Sequence, residues 1–174
     1  QWCYRPNSEG HYAAGMRVVT EYLYLPGYRL PTESEWEYAC RAGTTASYSP
    51  GDAADLLHEY AVFRNVSAGE ACSAGDRKPS DFGLFDMHGN AAEWCQDRYQ
   101  PYPLEVWLQP STATPEGDEV RETELRTVRG GSFLDAPSQL RSAARRPLRP
   151  DQRQSGLGFR VARGSSGSGG ARAL

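Results

Sequence analysis

The chain has no cysteine after Cys95, only three histidines, two methionines and no long apolar run. Each shortage removes a class of function. The four cysteines, Cys3, Cys40, Cys72 and Cys95, show no metal-ligand spacing such as C-x-x-C. Their even number permits disulfides, but a domain of 174 residues does not require them. Cys40 and Cys95 stand in apolar, aromatic-rich segments, so the four read as free or buried thiols. His11, His58 and His88 lie far apart in sequence, without the clustering that non-haem iron needs, and each reads as a surface or structural histidine. No segment is apolar enough for a membrane span. Charge of one sign is also scarce: 19 Lys and Arg against 22 Asp and Glu leave a net charge of −3. That balance gives no electrostatic reason to expect nucleic acid.

What is present fits an ordinary globular chain. The apolar fraction is 39%. The length suits one domain, burying roughly 70% of the unfolded chain's surface. Eighteen glycines and twelve prolines predict a loop-rich fold with short elements. The spacing predicts a helix over 33–42. Thr32 is its N-cap, Glu35 completes a capping box, Arg41 complements the C-terminal dipole and Gly43 ends it. Trp36, Ala39 and Cys40 form its buried face. Further helices are expected over 53–60 and, more weakly, over 7–25. Arg126-Thr127-Val128-Arg129 reads as a strand, with a bulge or close backbone approach at Gly130-Gly131. Residues 140–145 and 158–163 are further strand candidates, the latter alternating with period two. The class is α+β, with a small antiparallel sheet and long loops.

Four blocks carry a more specific signal. They are Tyr28-Arg29-Leu30-Pro31-Thr32-Glu33-Ser34-Glu35-Trp36, Gly83-Leu84-Phe85-Asp86-Met87-His88-Gly89-Asn90-Ala91-Ala92-Glu93-Trp94, Arg129-Gly130-Gly131-Ser132-Phe133 and Gly158-Phe159-Arg160-Val161. In this order they resemble the formylglycine-generating enzyme family, also called the sulfatase-modifying factor family, over about residues 1–163. The resemblance implies a C-type-lectin-like fold. It also implies a substantial N-terminal section before Gln1, so the chain is expected to be a fragment. Residues 164–174, rich in Gly and Ser, read as a flexible tail.

The family's oxidase converts a sulfatase cysteine to formylglycine with copper held by two thiols that closely follow the Gly-Gly-Ser block. Two soft thiolates must converge on a cuprous ion. Here the first thiol position corresponds to about Asp135 and the second falls in the stretch to Leu140, where there is no cysteine. No copper is expected, and no catalytic residue is assigned. A related branch of the family uses iron held in a separate N-terminal domain. An enzyme whose active residues lie in the absent section is therefore an alternative.

The Asp86–Glu93 loop is a candidate calcium site. The resemblance implies a side-chain oxygen from Asp86, carbonyls from Gly89 and Ala91, and a carboxylate from Glu93, and calcium favours such mixed oxygen ligands. The competing reading has both carboxylates capping turns or pairing with arginines. Of the many arginines in 126–163, Arg141, Arg145 and Arg160 match family positions and read as loop ties through bidentate bonds.

With the thiols gone, the expected role is a non-catalytic domain binding a protein or peptide, as the recognition part of a larger bacterial protein. The candidate face comprises Phe133, Leu134, Asp135, Gln139, Arg146, Arg149, Gln152 and Gln154. Variable proteins of diversity-generating retroelements resemble this branch and diversify positions just before the Gly-Phe-Arg block, which gives a second alternative. The compartment is open, with the bacterial cytoplasm as default.

Overall fold

The structure is a computed structural model that describes residues 3–102 and 119–164. The 165–174 part of the expected tail lies outside them. Among the described residues there are eight strands, most of them short: β1 Tyr4–Arg5, β2 Arg17–Val18, β3 Tyr28–Arg29, β4 Ala92–Arg98, β5 Arg126–Arg129, β6 Arg146–Leu148, β7 Leu157–Gly158 and β8 Ala162–Arg163. Two α-helices, α1 Glu33–Arg41 and α2 Leu57–Tyr60, accompany them. The main sheet has the order β6-β5-β4-β7, and β1-β2 and β3-β8 form two-stranded ribbons. Its β6-β5-β4 part is antiparallel, while β7 joins parallel to β4. This is the loop-rich α+β arrangement expected. Among the described residues no helix is long and apolar enough to cross a membrane.

The α1 helix follows its sequence closely. Thr32 Oγ1 accepts from Glu35 N at 3.1 Å, and Glu35 Oε2 accepts from Thr32 N at 2.9 Å, which completes the capping box. Ala42 and Gly43 both turn left-handed at the C-terminus, with φ 47° and 89°. Trp36 and Cys40 are buried against Met87 and Cys95, with Ala39 packed alongside. This layer joins α1 to β4. A second cluster, Tyr48, Leu57, Ala61, Phe63 and Leu140, lies under the loops that follow α1.

Four element expectations are corrected by the structure. Residues 7–25 hold β1's partner β2 and a 3-10 turn at Tyr22–Tyr24 instead of a helix. Gly10 and Gly15 there have φ of 82° and 84°, and Asn7 Oδ1 accepts from Glu9 N and His11 N, a turn that competes with helix. The 53–60 helix contracts to the single turn of α2. Residues 140–145 form turns, and the strand starts only at Arg146. Leu140 drops fully into the core, and Ser142 N bonds Ser47 O at 2.8 Å, which holds this stretch off the sheet. Residues 158–163 split between β7 and β8 in different sheets.

His88 is a satisfied core histidine. Its Nδ1 donates to Leu140 O at 2.7 Å and its Nε2 accepts from Ser49 N at 3.0 Å. Burial lowers its pKa, so it stays neutral. Cys40 is also inert: burial pushes its thiol up to about 12, a Ser142 hydrogen bond opposing.

Asp97 links β4 to α1, its Oδ2 accepting from Glu33 N at 2.6 Å. Burial pushes this carboxyl from 3.8 up to about 6, against the Glu33 N–H bond and with the Glu33 charge. A raised carboxyl pKa means the folded state holds the proton more tightly than the unfolded state. The group's contribution is then fully present below about pH 3.8 and lost as pH rises to about 6. Asp97→Asn keeps the acceptor and removes the titration. Between pH 4 and 6, wild-type stability is expected to fall relative to the variant by on the order of 2 kcal/mol. Parallel urea titrations would measure this, and parallel pH profiles would refute it.

Candidate functional site

The Gly-Gly bend sets the site. Gly130 and Gly131 have φ of 88° and 67°, and a Cβ on Gly131 would stand 2.8 Å from Leu140 Cδ1 and 3.0 Å from Gln139 O. Only glycine lets the chain leave β5 and fold back so closely. The close approach expected at these residues is present. Beyond it, Asp135 Oδ2 accepts from Ser132 N at 2.8 Å and from Ser132 Oγ at 2.7 Å, closing a tight loop. Pro137–Gln139 forms a 3-10 turn that returns the chain to Leu140.

This bend floors a cleft of about 660 Å³. Its lining includes Asp135, Gln139 and Arg141, the pair Arg145 and Arg146, and the aromatic Tyr99 and Tyr102. Arg145 is fixed: its Nε and a terminal nitrogen meet Glu33 at 2.5 and 2.6 Å, and it lies 4.1 Å from the Tyr102 ring centroid and 4.9 Å from that of Tyr99. Arg129, beneath, is fully buried and pairs with Glu37 while donating to Ala144 O. Among the described residues Arg141 is anchored only through Nε, to Ser138 O at 3.0 Å. Among the described residues Arg146 comes no closer to a carboxylate than 3.9 Å, at Asp135 Oδ2, and its buried Nε has no hydrogen-bond partner.

The candidate face therefore divides. Asp135, Gln139 and Arg146 converge on the cleft. Leu134 is exposed beside it and Gln154 stands on the surface after β6. Arg149 and Gln152 close their own turn, Gln152 Oε1 accepting from Arg149 N at 2.9 Å, and Arg149 meets Asp151 at 3.5 Å. Phe133 is a correction. It is only 7% exposed and supports the loop from inside, so its side chain offers no binding surface. Tyr99, Tyr102 and Arg145 were missed as cleft residues. The aromatic pair gave no signal, because only the fold brings it against an arginine more than forty positions away.

The Asp86–Glu93 turn has a different electrostatic arrangement from the one its motif implies. Glu93 is buried, and its Oε2 accepts from Trp36 Nε1 at 2.6 Å and Arg160 Nε at 2.5 Å. Its Oε1 accepts from Arg160 Nη2 at 2.7 Å, and the same nitrogen reaches the carbonyls of Phe85 and Asp86 at 3.1 and 3.4 Å. Asp86 Oδ2 accepts from Gly75 N at 2.8 Å. A guanidinium thus neutralises the carboxylate and bridges both ends of the turn. A calcium ion held by Asp86, Gly89, Ala91 and Glu93 would meet that cation, so this donor set does not fit it. Saturating EDTA is therefore expected to leave the melting temperature unchanged. A fall of several degrees, reversed by calcium, would restore the calcium reading.

The comparisons agree with the motifs. Residues 5–165 match the family model described as the sulfatase-modifying factor enzyme 1-like domain. The chain is 36% identical over 158 residues to the formylglycine-generating enzyme of Mycobacterium tuberculosis, covering 80% of this chain and 52% of that protein. It is 34% identical over 144 residues to the serine/threonine-protein kinase pkn1 of Chlamydia caviae, covering 82% of this chain but 22% of the kinase. The chain thus spans about half the length of the formylglycine-generating enzyme and about a fifth of the kinase. Among solved structures, Treponema denticola variable protein 1 superposes with a TM-score of 0.74 at 27% identity, over 91% of this chain and 61% of that one. These likenesses give the fold as the C-type-lectin-like α+β type of the formylglycine-generating enzymes, and the chain belongs to the sulfatase-modifying factor enzyme 1-like family.

Proposed function

We propose that this chain is a non-catalytic recognition domain that binds a protein or peptide in the cleft beside Gly130-Gly131. The observation that carries the reading is the replacement of both family thiol positions. Asp135 is tied to Ser132, Leu140 is fully buried, and no cysteine lies between Gly130 and Arg141. Copper oxidation through paired thiolates has no ligands there. The cleft of about 660 Å³ is lined by arginines and tyrosines, which suit recognition. The match to a small part of a kinase supports a place within a larger protein.

Two measurements test this together. The chain is incubated with cuprous ion, oxygen and a sulfatase-type cysteine peptide, and mass spectrometry is expected to find no formylglycine. Its appearance would overturn the reading. Binding partners are then captured with the wild type and with Gln139→Trp, which fills the cleft mouth from an exposed position. At least one partner is expected to be lost, and identical sets would place binding elsewhere.

The likeness to Treponema denticola variable protein 1 favours one second reading, a diversified binding protein. Arg149, Arg153, Gln154 and Ser155, just before β7, are exposed and free to vary without disturbing the core. A near-copy of the codons for this stretch beside a reverse transcriptase gene would establish it, and a genome without that repeat would remove it.

A further inference from the structure

We infer that the cleft recognises an acidic peptide segment through Arg141 and Arg146. This rests on the binding reading above and gives its ligand a chemical class. Four arginines line the cleft, but two are already committed. Arg129 and Arg145 are neutralised by Glu33 and Glu37. Arg141 uses only Nε, and its terminal nitrogens have no protein partner among the described residues. Arg146 meets no carboxylate closer than 3.9 Å among the described residues, and its side chain is 34% exposed. An incoming carboxylate can form charge-assisted bonds with the accessible parts of both guanidinium groups.

The cleft's shape and charge select among anions. A volume of about 660 Å³, walled by Tyr99, Pro101 and Tyr102, accommodates a chain segment with apolar contacts along it. Asp135 on the cleft wall opposes a multiply charged group more strongly than a single carboxylate. A glutamate or aspartate within a peptide meets both conditions. Free phosphate lacks the apolar part and carries more charge.

The test uses fluorescence anisotropy with a fluorescein-labelled Glu-rich peptide, a Gln-rich peptide of equal length, and inorganic phosphate as competitor. The Glu-rich peptide is expected to bind, weakening as salt rises from about 0.05 to about 0.5 M. The Gln-rich peptide is expected to bind at least tenfold more weakly. Arg146→Gln and Arg141→Gln are each expected to weaken the Glu-rich complex about tenfold. Arg141 is exposed, so its variant keeps the test informative if Arg146→Gln disturbs the fold. Equal binding of both peptides, or wild-type binding by folded Arg141→Gln, would overturn the inference. Efficient displacement by millimolar phosphate at constant ionic strength would also overturn it, assigning the arginines to phosphate. The outcomes separate from those of the broader reading. Failure of the Glu-rich peptide with partners still lost from Gln139→Trp sinks the ligand class alone, whereas formylglycine production sinks the recognition domain itself.

Discussion

Gly89→Ala is expected to unfold this chain or bring it close to unfolding. Gly89 has a φ of 77°, and a Cβ there would stand 2.2 Å from Val62 O, 3.0 Å from Val62 C and 3.1 Å from Leu140 Cδ2. The obstacle is mainly backbone, so no rotamer change relieves it. Gly89 N also donates to Gly130 O at 2.9 Å, and Asn90 N to Val62 O at 2.7 Å. Moving the turn aside breaks these bonds and loosens Leu140 beneath the Gly130-Gly131 bend. The cost should reach on the order of 4 kcal/mol or more, a fall in melting temperature of about 10 °C or more for a chain of this size. Gly83→Ala is the control. Its φ of 75° is similar, but no atom lies within 4 Å of the added Cβ. It should show only the left-handed backbone penalty, about 1–2 kcal/mol. Circular-dichroism melts of the two variants decide the matter, and equal losses would refute the steric account.

The contrast shows what the sequence made legible. Local signals were sound where the chain folds on itself. Thr32 and Glu35 cap α1 as their spacing requires, and Gly130-Gly131 marks a close approach. The motif blocks located the cleft's floor because that floor is one continuous stretch. Its walls were another matter. Tyr99 and Tyr102 follow β4, Arg145 precedes β6, and no periodicity joins them. The Arg160–Glu93 pair shows the same limit, since sixty-seven positions separate its partners. The family resemblance of the Asp86–Glu93 block implies a metal loop. The arginine that neutralises it arrives on the segment between β7 and β8, whose joint path no local pattern specifies. The 140–145 strand failed for a related reason: Leu140 and Ser142 answer to distant core and loop partners, not to each other.

Glu33→Ala is expected to be the most damaging change to a single charge, and it should reach the cleft as well as the core. Glu33 opens α1 and is only 8% exposed. Its carboxylate receives Arg145 at 2.5 and 2.6 Å, Thr127 Oγ1 at 3.2 Å, and Arg129 Nε at 3.4 Å. Removing it leaves a fully buried Arg129 with Glu37 alone and strips Arg145 of its bidentate partner. Breaking a buried pair this way costs about 3–5 kcal/mol, mostly the penalty of cations left without countercharge. Glu59 is the informative comparison. Its pair with Lys78 is solvent-screened, with side chains 35% and 61% exposed, so Glu59→Ala should change stability little. Urea midpoints, at unchanged slope, measure both. The pairwise origin can be isolated with Glu33→Ala combined with Arg145→Met. The second change removes one stranded cation, so the double variant should be more stable than the sum of the singles predicts. Strict additivity would mean that Glu33 acts through the helix terminus and not through the arginine. Arg145 also packs beside Arg146 in the cleft lining, held over Tyr99 and Tyr102. Without Glu33 its guanidinium is released to compete for an incoming carboxylate. A folded Glu33→Gln protein should therefore bind the Glu-rich peptide more tightly than wild type while being less stable, two opposite shifts that loss of fold alone cannot produce.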